Sequence, residues 1–412
     1  MFDRRELIRR GLALGLAPAL LPFAGGRLAA AAEPPRVRRR VPLGKTGLEL
    51  PDIGFGSSSL SGDEALVTHA LARGITYFDT AESYRFGSAE ETIGRALAGR
   101  RDQVLLASKQ SAGSDSKRAE MFETLEGSLR RLRTDRIDVY FNHAVNDPDR
   151  LLNDEWHEFT SRAKQQGKIR FSGMSGHGGR LVECLDLAVE RKLVDVVLVA
   201  FNFGQDQAFY EKFTGSFDFV GRQPELPRVL RQARAAGIGV IAMKTLRGGR
   251  LNDMRPYEGA GATFAQAAFR WILSTGLADA LVVTMKSPEQ VDEYLGASGW
   301  MQPHPADAAL LRRYARRTER TQCRYGCGDC ASACPAGVSI PDVLRARMYA
   351  VDYEEPSLAR AALAEAGGAA ACLSCDGSPC ATACPHGVAI PELTKQVSAA
   401  SETARSRAGA SA

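Results

Sequence analysis

No strand-like run in this 412-residue sequence is followed by Gly-x-Gly-x-x-Gly, so a Rossmann cofactor site has no support. Charge of one sign is scarce as well. The formal net charge is +5, and residues 1–32 hold five arginines against two acids, which leaves about +2 for everything after them. That is too little for a nucleic-acid-binding surface. Beyond the N-terminus no stretch is apolar and long enough to cross a membrane, so none is expected in the mature chain. Cysteine is nearly absent from the first 320 residues. Cys184 stands alone there, in a helix-period stretch, and reads as a buried thiol.

The other eight cysteines fall in two short runs, Cys323/Cys327/Cys330/Cys334-Pro335 and Cys372/Cys375/Cys380/Cys384-Pro385. Three closely spaced thiolates can hold three corners of an iron-sulfur cubane, and a remote cysteine followed by proline can complete it. The runs read C-x3-C-x2-C-x3-C-P and C-x2-C-x4-C-x3-C-P, with small insertions relative to the bacterial C-x2-C-x2-C-x3-C-P pattern. They also belong to a repeat, Cys334-Pro-Ala-Gly-Val-Ser-Ile-Pro341 echoed by Cys384-Pro-His-Gly-Val-Ala-Ile-Pro391. Two 4Fe-4S clusters are expected. Structural zinc and disulfides are the competing readings, although zinc does not account for the repeated proline. In the crossed pattern, Cys323, Cys327, Cys330 and Cys384 hold one cluster and Cys372, Cys375, Cys380 and Cys334 the other.

The first residues, Arg4-Arg5-Glu6-Leu7-Ile8-Arg9-Arg10, precede an apolar stretch from Gly11 to Gly26 and then Ala29 to Ala32. These are the three parts of an export signal over 1–32. The arginine pair resembles a twin-arginine signal, whose route carries folded proteins with their cofactors, so a periplasmic location is expected. The alternative is an amphipathic anchor or tail on a cytoplasmic protein.

Between 41 and 300, apolar runs alternate with helix-period stretches. The strands read Asp52–Ser57, Ile75–Thr80, Gln103–Lys109, Arg136–His143, Ile169–Ser175, Val194–Asn202, Gly239–Thr245 and Ala280–Lys286. Eight such units predict an α/β (β/α)8 TIM barrel, with a hairpin over Pro42–Leu50 closing its floor. From 301 to 400 the pattern changes to a small α-helical ferredoxin-like domain, with helices expected over Asp342–Tyr349 and Ser357–Glu365.

Barrel chemistry sits at the C-terminal ends of strands. There the sequence offers Asp79, Tyr84 in the next loop, Lys109 and His143. Taken singly, each could be incidental. As a set, an ammonium beside a phenol favours the phenolate and lowers its pKa, a carboxylate keeps the ammonium charged, and an imidazole can orient a carbonyl oxygen.

With these residues the chain resembles the aldo-keto reductase superfamily across roughly 41–300. The resemblance is carried by Phe78-Asp79-Thr80-Ala81-Glu82-Ser83-Tyr84, Gly87-Ser88-Ala89-Glu90, Ala107-Ser108-Lys109, Phe141-Asn142-His143, Gly173-Met174-Ser175 and Lys286-Ser287-Pro288-Glu289-Gln290-Val291. The tail is similar to that of the bacterial branch that joins such a barrel to an iron-sulfur domain. The resemblance implies NADPH-dependent reduction of a small aldehyde or ketone, with Tyr84 as acid, Lys109 and Asp79 tuning it, and His143 orienting the carbonyl. It implies nicotinamide contacts at Ser175, Asn202, Met243 and Lys244, and a 2'-phosphate near Lys286, Ser287 and Gln290. A redox partner protein is also possible on this reading. Three positions depart from the family: Ser175-Gly176-His177 replaces Ser-Asn, Leu198 replaces a glutamine, and Met243 replaces the stacking aromatic. These departures keep a second reading open, an electron-transfer or small-molecule-binding protein whose barrel lacks productive nicotinamide chemistry. The loop Phe203–Pro227, with Phe209, Tyr210, Phe213, Phe217 and Phe219, is either a lid or a packed cluster. His177 and His386 could each line a site, and read more readily as solvated surface histidines.

Overall fold

The structure is a computed structural model of the chain. It describes residues 33–177, 180–205, 225–246, 254–259, 263–302, 304–318, 321, 323, 329–352 and 356–397. The chain divides into two compact units, Met1–Pro34 and Pro35–Ala412. The signal-like segment 1–32, the aromatic part of the long loop and Cys327 lie outside the described residues. No helix among the described residues is long and apolar enough to cross a membrane.

A two-stranded hairpin, β1 (Arg40–Pro42) against β2 (Glu49–Pro51), precedes the barrel. Eight parallel strands then close on themselves: β3 (Ile53–Gly56), β4 (Tyr77–Asp79), β5 (Leu105–Gln110), β6 (Ile137–Asn142), β7 (Ile169–Gly176), β8 (Val196–Ala200), β9 (Gly239–Met243) and β10 (Ala280–Thr284), with β10 pairing back to β3. All eight predicted strands are present. The helices run where the 3.6-residue period puts them, for example Arg118–Leu132 after β5 and Phe264–Thr275 after β9, the latter capped by the Thr263 side chain on the Gln266 amide.

Strand alternation sorts the side chains into two cores. Odd-numbered residues of β4 to β7 and β9 (Tyr77, Ala107, Val139, Phe141, Ile241) and even-numbered residues of β8 and β10 (Val196, Leu198, Ala280, Val282) fill the barrel interior. Their neighbours pack outward under the helices. On β3 the inward positions are Gly54 and Gly56. A Cβ on Gly54 would come within 2.7 Å of the Tyr77 ring, so glycine there makes room for that ring. Leu43, Leu48 and Leu50 of the hairpin join the interior cluster and plug its floor. Gly44, with φ +50°, lets the hairpin approach so closely that a Cβ would lie 2.5 Å from the Gly237 carbonyl.

The helix Asp307–Thr318 lies on the barrel helix Phe264–Thr275. Tyr314 stacks on Phe264 with centroids 4.3 Å apart, and Arg270 meets Asp307 in a buried bidentate pair at 2.8 and 2.6 Å. The chain beyond it is helical and small, with the expected pair of helices at Ile340–Arg347 and Pro356–Glu365. The first of these continues into a π-helical turn, Met348–Asp352.

Candidate active site and cysteine layer

Inward parity carries past the strand ends and decides which residues meet at the mouth. Asp79 stands opposite Ala107 in register and Lys109 opposite Phe141, so Asp79, Lys109 and His143 all continue interior rows. Lys109 Nζ reaches across to donate to Asp79 Oδ1 at 2.6 Å and to the Thr80 carbonyl at 2.6 Å. It also lies 5.0 Å from the centroid of the Tyr84 ring. Tyr84 and His143 meet edge to face, with centroids 5.7 Å apart. The four residues singled out in the sequence therefore form one cluster.

The loop that presents Tyr84 is tightly held. Arg85, Phe86 and Gly87 all have positive φ (52°, 56° and 87°), an uncommon run for two non-glycine residues and the kind of strain that clusters at functional sites. Glu90, in the following helix Ser88–Ala96, accepts from Ser108 Oγ at 2.5 Å and from Arg131 Nε at 2.7 Å, tying that helix to the residue beside Lys109. Arg150 was not singled out in the sequence, yet it organises the other side. Its guanidinium donates to the carbonyls of Ala112, Ala144 and His143 and to Asn142 Oδ1, at 2.7 to 3.0 Å. Three of its four partners are main-chain carbonyls, which carry no sequence signature.

The electrostatics correct one expectation. Burial raises the Tyr84 pKa above its ordinary 10 and outweighs the lowering by Lys109, so on balance the phenol holds its proton more firmly. Burial alone would push Lys109 down, but Asp79 and Tyr84 together hold it above its usual value, as an ammonium. His143 is pushed down to about 3 by burial, Lys109, Arg150 and Lys244, and is neutral. His177 is held well below the ordinary imidazole range by Lys244, then burial, His143 and Arg345. It stands at the mouth beside His143, and the expectation of a solvated surface histidine is corrected.

The remaining sequence candidates are less uniformly placed. Ser175 Oγ accepts from the Ala144 amide at 2.9 Å and supports the turn after His143. Asn202 donates to the Lys244 carbonyl at 3.1 Å and accepts from the Gly204 amide at 2.9 Å, so its amide bridges two loops. Met243 packs on the barrel interior, followed by Lys244 in a left-handed conformation, φ 53°. Leu198 points into the interior below them. Ser287 caps the helix Pro288–Leu295, its Oγ accepting from the Gln290 amide at 3.3 Å, while Gln290 Oε1 accepts from the Lys286 amide at 2.9 Å. A capped helix N-terminus with a lysine beside it suits a phosphate. Asp79 Oδ2, Thr80 Oγ1, Gln110 Nε2 and Thr245 Oγ1 are buried without hydrogen-bond partners among the described residues, all near the strand ends. Unsatisfied polar groups of this kind are what a polar cofactor would meet.

In the tail, seven of the eight cysteines are described. Cys323, Cys330 and Cys384 line one cavity with Ile340, Leu344 and His386. His386 thus lies against this cavity, which corrects its reading as a solvated surface residue. Around Cys372 stand Cys334, Cys380 and Cys375, whose charges join burial in raising its pKa. Cys330 and Cys380 also belong to one core, with Cys323, Cys372 and Cys384 packed against it. Among the described residues no three His, Cys, Asp or Glu side chains converge closely enough to grip a single metal ion. The repeated Cys-Pro-x-Gly motif recurs in conformation: Gly337 (φ 64°) and Gly387 (φ 59°) donate to the carbonyls of Cys334 and Cys384, and a helix follows each. The Val338 amide donates to Cys334 Sγ at 3.4 Å. Cys184, in the barrel, is buried as expected, its pKa pushed up to about 11 by burial.

An eight-stranded parallel barrel with a carboxylate, phenol, ammonium and neutral imidazole at its mouth defines a barrel enzyme equipped for proton transfer. The model of the aldo/keto reductase family matches residues 52–259. The chain belongs to that family, a family of oxidoreductases. It is 37% identical over 153 residues to the aldo-keto reductase YhdN of Bacillus subtilis (strain 168), covering 32% of this chain and 45% of that protein. The chain thus spans about half the length of the first curated relatives it matches. Among solved structures, the aldo-keto reductase AKR11C1 from Bacillus halodurans (holo form) aligns with a TM-score of 0.53 at 23% identity, over 67% of this chain and 95% of that one. An aldo/keto reductase from Klebsiella pneumoniae in complex with NADP and acetate aligns at 0.51 and 25% identity, over 68% and 96%.

Proposed function

We propose that this protein reduces a small aldehyde or ketone with NADPH, with Tyr84 as the proton donor. The observation that carries the proposal is the cluster itself, with Lys109 shared between Asp79 and the Thr80 carbonyl beneath the ring of Tyr84. NADP bound to the Klebsiella relative, the unsatisfied polar atoms at the strand ends and the capped helix at Ser287 support the cofactor. Bound NADPH would supply a hydride to the carbonyl carbon. Ser175, Asn202, Met243 and Lys244 would hold its nicotinamide end, and Lys286, Ser287 and Gln290 its 2'-phosphate.

The chain's own residues do the rest. Neutral His143 donates a hydrogen bond that orients the carbonyl oxygen. Tyr84 keeps its proton until negative charge grows on that oxygen, then releases it, and Lys109 stabilises the phenolate left behind. The raised pKa suits a donor that must arrive protonated. Replacing Tyr84 by Phe should lower kcat/KM by about 10²–10⁴-fold, the usual worth of a positioned general acid, and leave NADPH affinity nearly unchanged. Retained turnover, measured by NADPH oxidation with an aldehyde, would reassign the acid.

We further propose that the tail carries two 4Fe-4S clusters with crossed ligands. The cavity shared by Cys323, Cys330 and Cys384, the cysteines around Cys372, the backbone donor to Cys334 Sγ and the repeated turns support this. So does the composition of the core, in which Cys330 and Cys380 sit among only a few aliphatic side chains. So small a core ordinarily needs a metal or other staple. Export by the twin-arginine route rests on Arg4 and Arg5. Changing both to lysine should strand the precursor in the cytoplasm, and unchanged export in a fractionation experiment would reject that route.

A further inference from the structure

The turn that presents Tyr84 holds two non-glycine residues, Arg85 and Phe86, in left-handed dihedrals, with Gly87 following at φ 87°. Such dihedrals persist only where the surrounding structure over-determines them. Phe86 is 95% exposed, so its own side chain does not supply the restraint. Two backbone bonds close the turn, from the Tyr84 amide to the Ala81 carbonyl at 3.1 Å and from the Phe86 amide to the Ser83 carbonyl at 3.3 Å. Beneath it runs the side chain of Arg131. A Cβ on Gly87 would lie 2.8 Å from Arg131 Cδ and 2.9 Å from its Nε, so the turn rests directly on the arginine stem.

The arginine is itself held by Glu90. Arg131 Nε donates to Glu90 Oε2 at 2.7 Å, and Glu90 Oε1 accepts from Ser108 Oγ at 2.5 Å. The Glu90 side chain is fully buried and that of Arg131 is 29% exposed, so the pair escapes most of the screening that loosens exposed ones. Glu82, partly buried in the loop before Tyr84, is a second carboxylate near this cation. Glu90 adds to burial in raising the Glu82 pKa, and Arg131 opposes both. Gly94 lets the helix Ser88–Ala96 dock at the same place, since a Cβ there would collide with the Arg131 carbonyl. One carboxylate thus links the strand that ends beside Lys109, the helix Arg118–Leu132 and, through the arginine stem, the turn after Tyr84.

We propose that Glu90 and Arg131 are positioning residues for proton donation, a clamp that fixes the Tyr84 hydroxyl relative to Lys109 and the carbonyl oxygen. This rests on the reductase reading and adds to it the residues that hold its acid in place. Both act through other groups: Arg131 through the turn it supports, and Glu90 through Arg131 and through Ser108. Because Ser108 leads directly into Lys109, releasing Glu90 loosens the phenol and the ammonium together.

The test measures aldehyde reduction and backbone hydrogen exchange on the full-length holoprotein. Arg131→Met keeps an apolar stem beneath Gly87 and removes the ion pair. It and Glu90→Gln should each lower kcat by about 10²-fold, the cost of a misplacement of about 1 Å, with aldehyde KM and NADPH affinity unchanged. Arg131→Lys, which keeps the cation, should retain most of the activity. The double variant should be no slower than either single one, because both break the same link. The solvent deuterium isotope effect on kcat should rise in the slow variants, since proton transfer becomes the slower step, and amide exchange over residues 84–88 should quicken. A smaller folded fraction would lower kcat without moving the isotope effect. If Glu90→Gln does not fold by circular dichroism, Arg131→Met, altered at a partly exposed position, decides. Additive losses, or slow turnover with the isotope effect of the wild type, would overturn the clamp and leave the reductase standing. If the wild type reduces no aldehyde, the reductase reading fails and exchange decides the clamp: faster exchange over residues 84–88 in the variants would uphold it, and unchanged protection would reject it.

Discussion

Of the titratable groups at the mouth, His143 makes the sharpest prediction about pH. Its folded pKa of about 3 lies below the ordinary imidazole value of about 6.5, so between the two the unfolded chain binds more protons than the folded one. The stability that His143 contributes is therefore present above about pH 6.5 and lost as pH falls toward 3. Thermal melts from pH 8 to 4 should show a steeper acid loss in the wild type than in His143→Gln; equal slopes, or an imidazole signal titrating near 6.5 by NMR, would contradict the burial argument. Asp79, Lys109 and His143 were legible because barrel chemistry gathers at strand ends, which apolar runs mark, and Tyr84 because it stands in the loop after one of them. The sign of the Tyr84 shift was not legible. It depends on how completely the folded loops bury the phenol, which spacing does not reveal. Arg150 was missed for a similar reason, since its neighbours belong to segments that only folding brings together.

The barrel strands were readable as elements because each is a run of apolar residues bounded by polar or glycine positions. Their ends moved by a few residues. Predicted Asp52–Ser57 is observed as Ile53–Gly56, since its flanking residues bond to other segments. Asp52 turns instead to Ser298 and the Gly299 amide. The helix Asp307–Thr318 follows the change of pattern in the sequence, but a buried ion pair and a stacked ring attach it to the barrel. The cysteine repeat was readable from spacing. If the crossed ligation holds, Cys384→Ala damages the cluster of Cys323, Cys327 and Cys330 and spares that of Cys372, Cys375, Cys380 and Cys334. Iron content and paramagnetic resonance would register that outcome. Loss confined to the second cluster would show that each run binds its own.

At the scale of the whole molecule, one compact unit joins a reductase barrel to a cysteine-rich tail, and the tail's Tyr349 stands at the barrel's mouth. That approach was invisible in the sequence because some 200 residues separate Tyr349 from His143, and neither carries a mark of the other. We propose that the mouth transfers hydride and proton to a carbonyl, rather than serving as a docking face for electrons bound for the proposed clusters. The most direct measurement is an air-free titration of the holoprotein with NADPH, following nicotinamide and cluster absorbance together, first without and then with an aldehyde. NADPH should be consumed only once the aldehyde is present, in step with alcohol formed, while the cluster absorbance stays constant. Bleaching of the clusters by NADPH alone, with no alcohol formed when aldehyde follows, would contradict it.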